Sequence, residues 1–274
     1  MKPIVPNPSA AAPSPSGGNL GNGEPSWEFD PADIPIPDLD ALITEDGAPV
    51  DNLFVEKQYR LLTEPLNSSW TPPGEEKQFL VASDVGIFAK NALPPLVPDC
   101  FLSMGVTAGT GLHAKENRSY FLWLVGKPPD VVIEIVSDRR GGAEDIKRDA
   151  YARMGVLVYV IFDPLNRLRG GVLRAGILHG RKYKAIKPPW FPEVGLGLTL
   201  WQGAYEGATE TWLRWCEQDG RLIPTGAERA DEANQQALKA NQKALKANQK
   251  ALKANQKAER LAAQLRALGV DPDV

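Results

Sequence analysis

Cysteine and histidine are scarce in this chain of 274 residues. Cys100 and Cys216 are the only cysteines and His113 and His179 the only histidines. Two cysteines cannot build a disulfide framework or a cysteine zinc site, and two histidines leave little for imidazole ligation. Any bound metal must therefore be held by oxygen. No apolar run approaches the eighteen or more residues of a membrane span, and the N-terminus carries Pro, Ser and Gly where a signal peptide needs an apolar stretch. The expectation is a cytoplasmic protein with no membrane partner. A surplus of positive charge is also missing. The net charge is −3, which argues against a generally basic coat while leaving room for local basic patches.

What is present divides the chain into three parts. Residues 1–26 mix Pro, Ser, Gly and Ala without hydrophobic period, the composition of a disordered arm. Residues 27–226 carry the apolar patterning of an α/β domain, entered through a Pro- and Asp-rich lead-in. Asp51 or Asn52 caps a helix expected to run through about Thr63, where Pro65 discourages continuation. Strand candidates follow at 78–82, 85–89 and 101–104. A Gly/Thr-rich loop lacks the Gly-Lys-Ser/Thr of a phosphate loop, and 120–125 adds an extended segment. A helix over 143–154 should turn Ile146, Ala150 and Met154 to the sheet, and 157–162 is another buried-type strand. A hairpin is expected over 173–186, turning near Gly180, and a last hairpin or short helix near 212–223. The order reads as α/β with a mixed central sheet flanked by helices.

One residue stands out in this pattern. Val131 to Val136 is an apolar, β-branched run of the kind covered on both faces, and Glu134 lies inside it. An ionised carboxylate buried there alone would cost at least several kcal/mol, so it must be paired, protonated or bound to a cation. Asp99 heads a neighbouring strand candidate and Lys147 lies on the following helix. Two carboxylates converging at one end of a sheet supply the hard oxygens that Mg²⁺ or Mn²⁺ takes, and a lysine ammonium can stabilise charge on phosphoryl oxygens. The alternative for Glu134 is a structural ion pair with Arg139, Arg140 or Lys147.

The segments FLVASDVGIFAK, VPDCFLSMGV, PPDVVIEIVS and EDIKRDAYARMGVLVYVIFDPL, together with the alanine-rich heptad tail, resemble the Uma-type restriction endonuclease family of the PD-(D/E)XK nuclease superfamily. The resemblance covers roughly residues 50–200. It implies a restriction-endonuclease-like fold, a divalent metal and cleavage of DNA phosphodiesters. Carried over, Asp99 and Glu134 match the metal-binding acids, the Ile135 carbonyl the backbone ligand, and Lys147 the lysine supplied from the helix. The superfamily's usual lysine two residues after the glutamate is replaced by Val136, and SDRRGG follows the strand. Glu56 is a candidate for a further helix acid. Asp84 and Asp130 lie beside the motifs, where turn or strand-end capping is their expected work.

Residues 227–274 change character. The unit ALKANQK repeats with a seven-residue period, placing Leu238, Leu245 and Leu252 in one row and lysine at six positions from Lys239 to Lys257. A helix with a coiled-coil period is expected. Asn or Gln at the other core position limits it to a weak homo-oligomer, and the leading reading is a solvated spacer, with a nucleic-acid or partner-binding arm as its competitor. For the whole chain the leading expectation is a metal-dependent DNA endonuclease. The alternative is a catalytically inactive nuclease-like module that binds DNA or protein.

Overall fold

The computed structural model describes residues 52–75, 77–89, 95–109, 111–114, 117–137, 143–187 and 189–269. The arm expected over 1–26, the lead-in after it, Asp51, and the loop residues Arg139 and Arg140 lie outside them. Helix α1 (Leu53–Ser69) begins at Asn52, whose side chain accepts the Val55 N–H at 3.0 Å. It does not end near Thr63 but runs through Pro65 to Ser69. Leu61, Leu62, Pro65 and Leu66 are all buried on its inner face, and burial of that stripe outweighs the one backbone hydrogen bond that proline cannot donate.

The strands are β1 (Phe79–Ala82), β2 (Ile87–Phe88), β3 (Cys100–Met104), β4 (Tyr120–Phe121), β5 (Val131–Ile135) and β6 (Val158–Phe162). They are followed by β7 (Leu173–His179), β8 (Lys182–Ala185), β9 (Trp190–Phe191), β10 (Leu196–Tyr205) and β11 (Ala208–Cys216). Six form a central sheet in the order β1-β3-β5-β6-β7-β8. Among the described residues its one parallel pair is β5–β6, and a parallel pair needs a crossover, which α3 (Ala143–Met154) supplies. Every residue of β5 and β6 is buried, as their unbroken apolar runs require. The sheet is mixed and flanked by helices, as the sequence pattern implies.

One face of the sheet packs with α1 and the β9–β11 sheet around Leu62, Val131, Ile133, Val160, Leu213 and Trp215. Gln58, fully buried, exchanges both amide hydrogen bonds with the Leu213 backbone at 2.8 and 2.9 Å, and Trp215 Nε1 donates to Leu62 O at 2.8 Å. These bonds fix α1 against β11. The opposite face carries Phe101, Val132, Val136, Tyr159 and Ile161 under Tyr151 of α3.

Two local expectations are corrected and a third is narrowed. Ile146 does not face the sheet: it is 71% exposed, and the inward row is Lys147, Tyr151 and Met154, one residue out of phase, because burying the Tyr151 ring covers more apolar area than burying Ile146. Residues 120–125 are not a single extended segment. β4 gives way to a helical turn, α2 (Leu122–Val125), stopped by Gly126 in the left-handed region. The region 212–223 takes the hairpin of its two expected forms: Cys216 bridges Leu222, and the Ile223 N–H donates to Trp215 O at 2.9 Å. Trp212 to Cys216 completes the long β10–β11 hairpin, whose two-residue loop of Glu206 and Gly207 has positive φ at both positions, the turn that matches strand twist.

The tail is helical as expected: α4 (Gly226–Ala267) opens on a capping box of Thr225 and Glu228 and buries no residue. Its base is bound to the domain. Arg214, with a side chain 2% exposed, meets Glu228 at 2.6 Å, and the Gly226 N–H donates to Glu64 Oε1 at 2.9 Å. No helix among the described residues is long and apolar enough to cross a membrane.

Candidate active site

Asp99 immediately precedes β3. The antiparallel register of β3 with β5 ends at Cys100↔Ile133, so one further step sets Asp99 across from Glu134. Both Asp99 oxygens are held. Tyr59 OH, from α1, donates to Oδ1 at 2.6 Å, and the backbone N–H of Ile135 donates to Oδ2 at 2.6 Å. The aspartate is thereby fixed to the peptide that follows Glu134.

Glu134 is 5% exposed. Its Oε2 lies 2.6 Å from Lys147 Nζ and its Oε1 accepts from Tyr151 OH at 2.9 Å. Burial pushes its carboxyl up to about 7. The Lys147 charge opposes that shift and the Asp99 charge adds to it. Tyr151 is raised well above the usual phenol range by burial and then by the Glu134 charge, so it remains a neutral donor. Lys147 also donates to Val97 O at 3.2 Å, and its side chain is 35% exposed, so the ammonium reaches solvent while bridging β5 to the segment that carries Asp99.

The structure therefore brings together Asp99, Glu134, Lys147 and the Ile135 backbone from three elements at one end of the sheet. The other acids lie elsewhere. Glu56 is engaged by Arg60 on the exposed face of α1. Asp84 occupies a left-handed turn position after β1, with φ 55°. Asp130 accepts from the Met104 N–H at 2.7 Å and from Lys127 Nζ at 2.6 Å, closing the far end of the β3–β5 pair.

Two partners escaped the sequence reading. Tyr151 sits one helical turn beyond Lys147, a spacing that places both on one face, so the signal existed and was masked by the choice of Ile146 as the inward residue. Tyr59 carried no such signal, because it meets Asp99 across 40 residues of sequence.

The donor set fits a small hard cation. Among the described residues no group of three or more Asp, Glu, His or Cys side chains could hold a metal. Two adjacent carboxylates with a main-chain carbonyl nevertheless suit Mg²⁺, which keeps several waters and commonly takes one or two carboxylates. Histidine and cysteine, the ligands that softer ions prefer, are not among these donors.

No curated protein matches the chain. A solved structure, a putative nuclease belonging to DUF820 from Anabaena variabilis, is similar at 12% identity and a TM-score of 0.29, over 40% of this chain and 56% of that one. The match thus spans little more than half of that protein's length. Over residues 50–170, which contain Asp99, Glu134, Ile135 and Lys147, the chain matches the Uma2 family, described as a putative restriction endonuclease.

Proposed function

We propose that the chain is a metal-dependent endonuclease that hydrolyses phosphodiester bonds of DNA. Asp99, Glu134 and the Ile135 carbonyl would hold Mg²⁺ or Mn²⁺, with Lys147 as the catalytic cation. The observation that supports this reading is the meeting of Glu134 with Lys147 at 2.6 Å, directly across the strand pair from Asp99. When bound, the metal would act as Lewis acid toward the phosphodiester. The chain's own residues do the rest. Glu134 would release its proton to solvent before it could serve as a ligand, and Tyr151 and Tyr59 hold the two carboxylates in orientation through neutral hydroxyl donors. Lys147, partly exposed, turns its ammonium to the phosphoryl oxygens, where charge grows as a water oxygen bonds to phosphorus and the bond to the leaving oxygen breaks, that oxygen taking a proton from solvent. In this reading the described residues from Asn52 to Thr225 form the chemical domain and helix α4 is an appendage to it.

Plasmid nicking in Mg²⁺ or Mn²⁺ against an EDTA control tests the proposal, with Asp99→Asn and Lys147→Ala beside the parent. Nicking should need the metal and fall by orders of magnitude in both variants. No metal-dependent nicking by the parent would overturn the enzyme assignment, and parental activity in Lys147→Ala would remove the lysine from the chemistry.

A second reading has its own support. All four carboxylate oxygens of Asp99 and Glu134 already accept hydrogen bonds from within the chain, and the strand position that would carry a lysine holds Val136. A satisfied polar network of this kind is also what a nuclease-like binding module without catalysis would keep. Duplex binding without product in Mg²⁺ would favour it.

A further inference from the structure

We propose that the lysine face of α4 is a docking surface for the phosphate backbone of duplex DNA. Lys239, Lys243, Lys246, Lys250, Lys253 and Lys257 are all exposed and alternate at four- and three-residue steps. That spacing follows the helical period, so the six ammonium groups form one row, drifting about 20° per heptad, along about 27 Å of helix. From 237 to 257 there is no Asp or Glu, so no helix neighbour three or four residues away neutralises any of them. A row of this density in a chain whose net charge is −3 is a local reversal of sign.

The row is also held in place. The Arg214–Glu228 pair, the capping box at Thr225 and the Gly226–Glu64 bond fix the helix base, and α4 continues without Pro or Gly to Ala267. A fixed row of cations loses less entropy on binding a polyanion than a flexible tail does.

The composition selects among polyanions. The leucine row, Leu238, Leu245 and Leu252, lies about 100° or more round the helix from the lysines and is flanked by Asn and Gln, too narrow an apolar face for a lipid interface. The repeats contain no Trp, Tyr or Arg, the residues that anchor protein partners. Lysines used as point charges bind a phosphate backbone without reading sequence. The choice of DNA as the polyanion rests on the nuclease reading; the phosphate chemistry does not.

The test is fluorescence anisotropy of a short labelled duplex with the full-length protein in EDTA, so that cleavage plays no part, over a salt series from about 50 to 200 mM. Replacing all six lysines by Gln keeps helix propensity, to be checked by circular dichroism, and should weaken low-salt binding at least about tenfold. The log–log salt slope should become shallower by about 0.9 for each phosphate that is no longer neutralised. A second variant, with Gln only at Lys239, Lys246 and Lys253, should give an intermediate slope. Unchanged affinity and slope in both variants would overturn the proposal. So would parental binding to vesicles of phosphatidylcholine and phosphatidylserine that exceeds binding to duplex. A parent that fails to nick DNA but loses duplex binding with its lysines keeps the docking surface and loses the nuclease reading. A nicking parent whose binding ignores the lysines does the reverse.

Discussion

Glu134 Oε2 and Lys147 Nζ stand 2.6 Å apart, one side chain almost fully buried and the other more than a third exposed. The asymmetry decides what removing either charge does. A buried pair broken on one side commonly costs about 3–5 kcal/mol because the surviving ion is stranded. Here the survivor, Lys147, keeps solvent and Val97 O.

Glu134→Gln should therefore leave the metal-free fold as stable as the parent or more so. The amide keeps the shape, removes the repulsion from Asp99 and removes a carboxylate that burial disfavours. Metal-dependent nicking should vanish, because an amide is a weaker ligand for a hard cation. Chemical melts in EDTA beside a nicking assay measure both. A strongly destabilised variant would show the residue to be a structural ion-pair partner, and a stable variant that still nicks would remove it from catalysis.

The Glu134 carboxyl has an ordinary value of 4.5 and is pushed up to about 7 in the fold. Between those values the native state holds a proton that the unfolded chain has released. Its contribution to stability is complete below 4.5 and is lost as pH rises through about 7, a difference of about 3 kcal/mol. Melts in EDTA at about pH 5 and about pH 8 should show this fall in the parent and lack it in Glu134→Gln. Mn²⁺ affinity should change in the opposite sense, rising with pH through the same window as the proton leaves. Parallel pH profiles for the two proteins would refute the assignment.

Tyr59→Phe removes the donor to Asp99 Oδ1 and leaves the ring in place. Partners that orient a ligand commonly contribute about tenfold or more to metal affinity. Mn²⁺ binding, read by electron paramagnetic resonance, should weaken by about that factor. Tyr151→Phe, which leaves Glu134 Oε1 buried without its donor, should in addition cost about 1–3 kcal/mol at a pH above the Glu134 titration. Parental Mn²⁺ affinity in Tyr59→Phe would mean that Asp99 needs no support from α1.

The leucine row of α4 is 59–62% exposed at Leu238, Leu245 and Leu252, with Asn241, Asn248 and Asn255 at the other core positions of the heptad. The parent should sediment as a monomer or weak dimer. Replacing the three asparagines by Leu should produce a stable helical oligomer, because both core positions are then apolar. A tight parental dimer that disappears on truncating α4 would contradict this.

The primary sequence alone was enough for features that depend on local pattern. The unbroken apolar runs of β5 and β6, a helix capped at Asp51 or Asn52, the 143–154 helix and the seven-residue period of α4 each follow from side-chain spacing and backbone preference. The presence of an acid inside a fully buried strand already required a partner for Glu134. Which partner was a tertiary matter. Packing chose Tyr151 over Ile146 as the inward residue of α3 and so turned Lys147 toward Glu134, while the fixing of α1 by Gln58 and Trp215 against β11 delivered Tyr59 to Asp99. Those outcomes turn on how much area each competing face buries against elements distant in sequence, a quantity no local spacing contains.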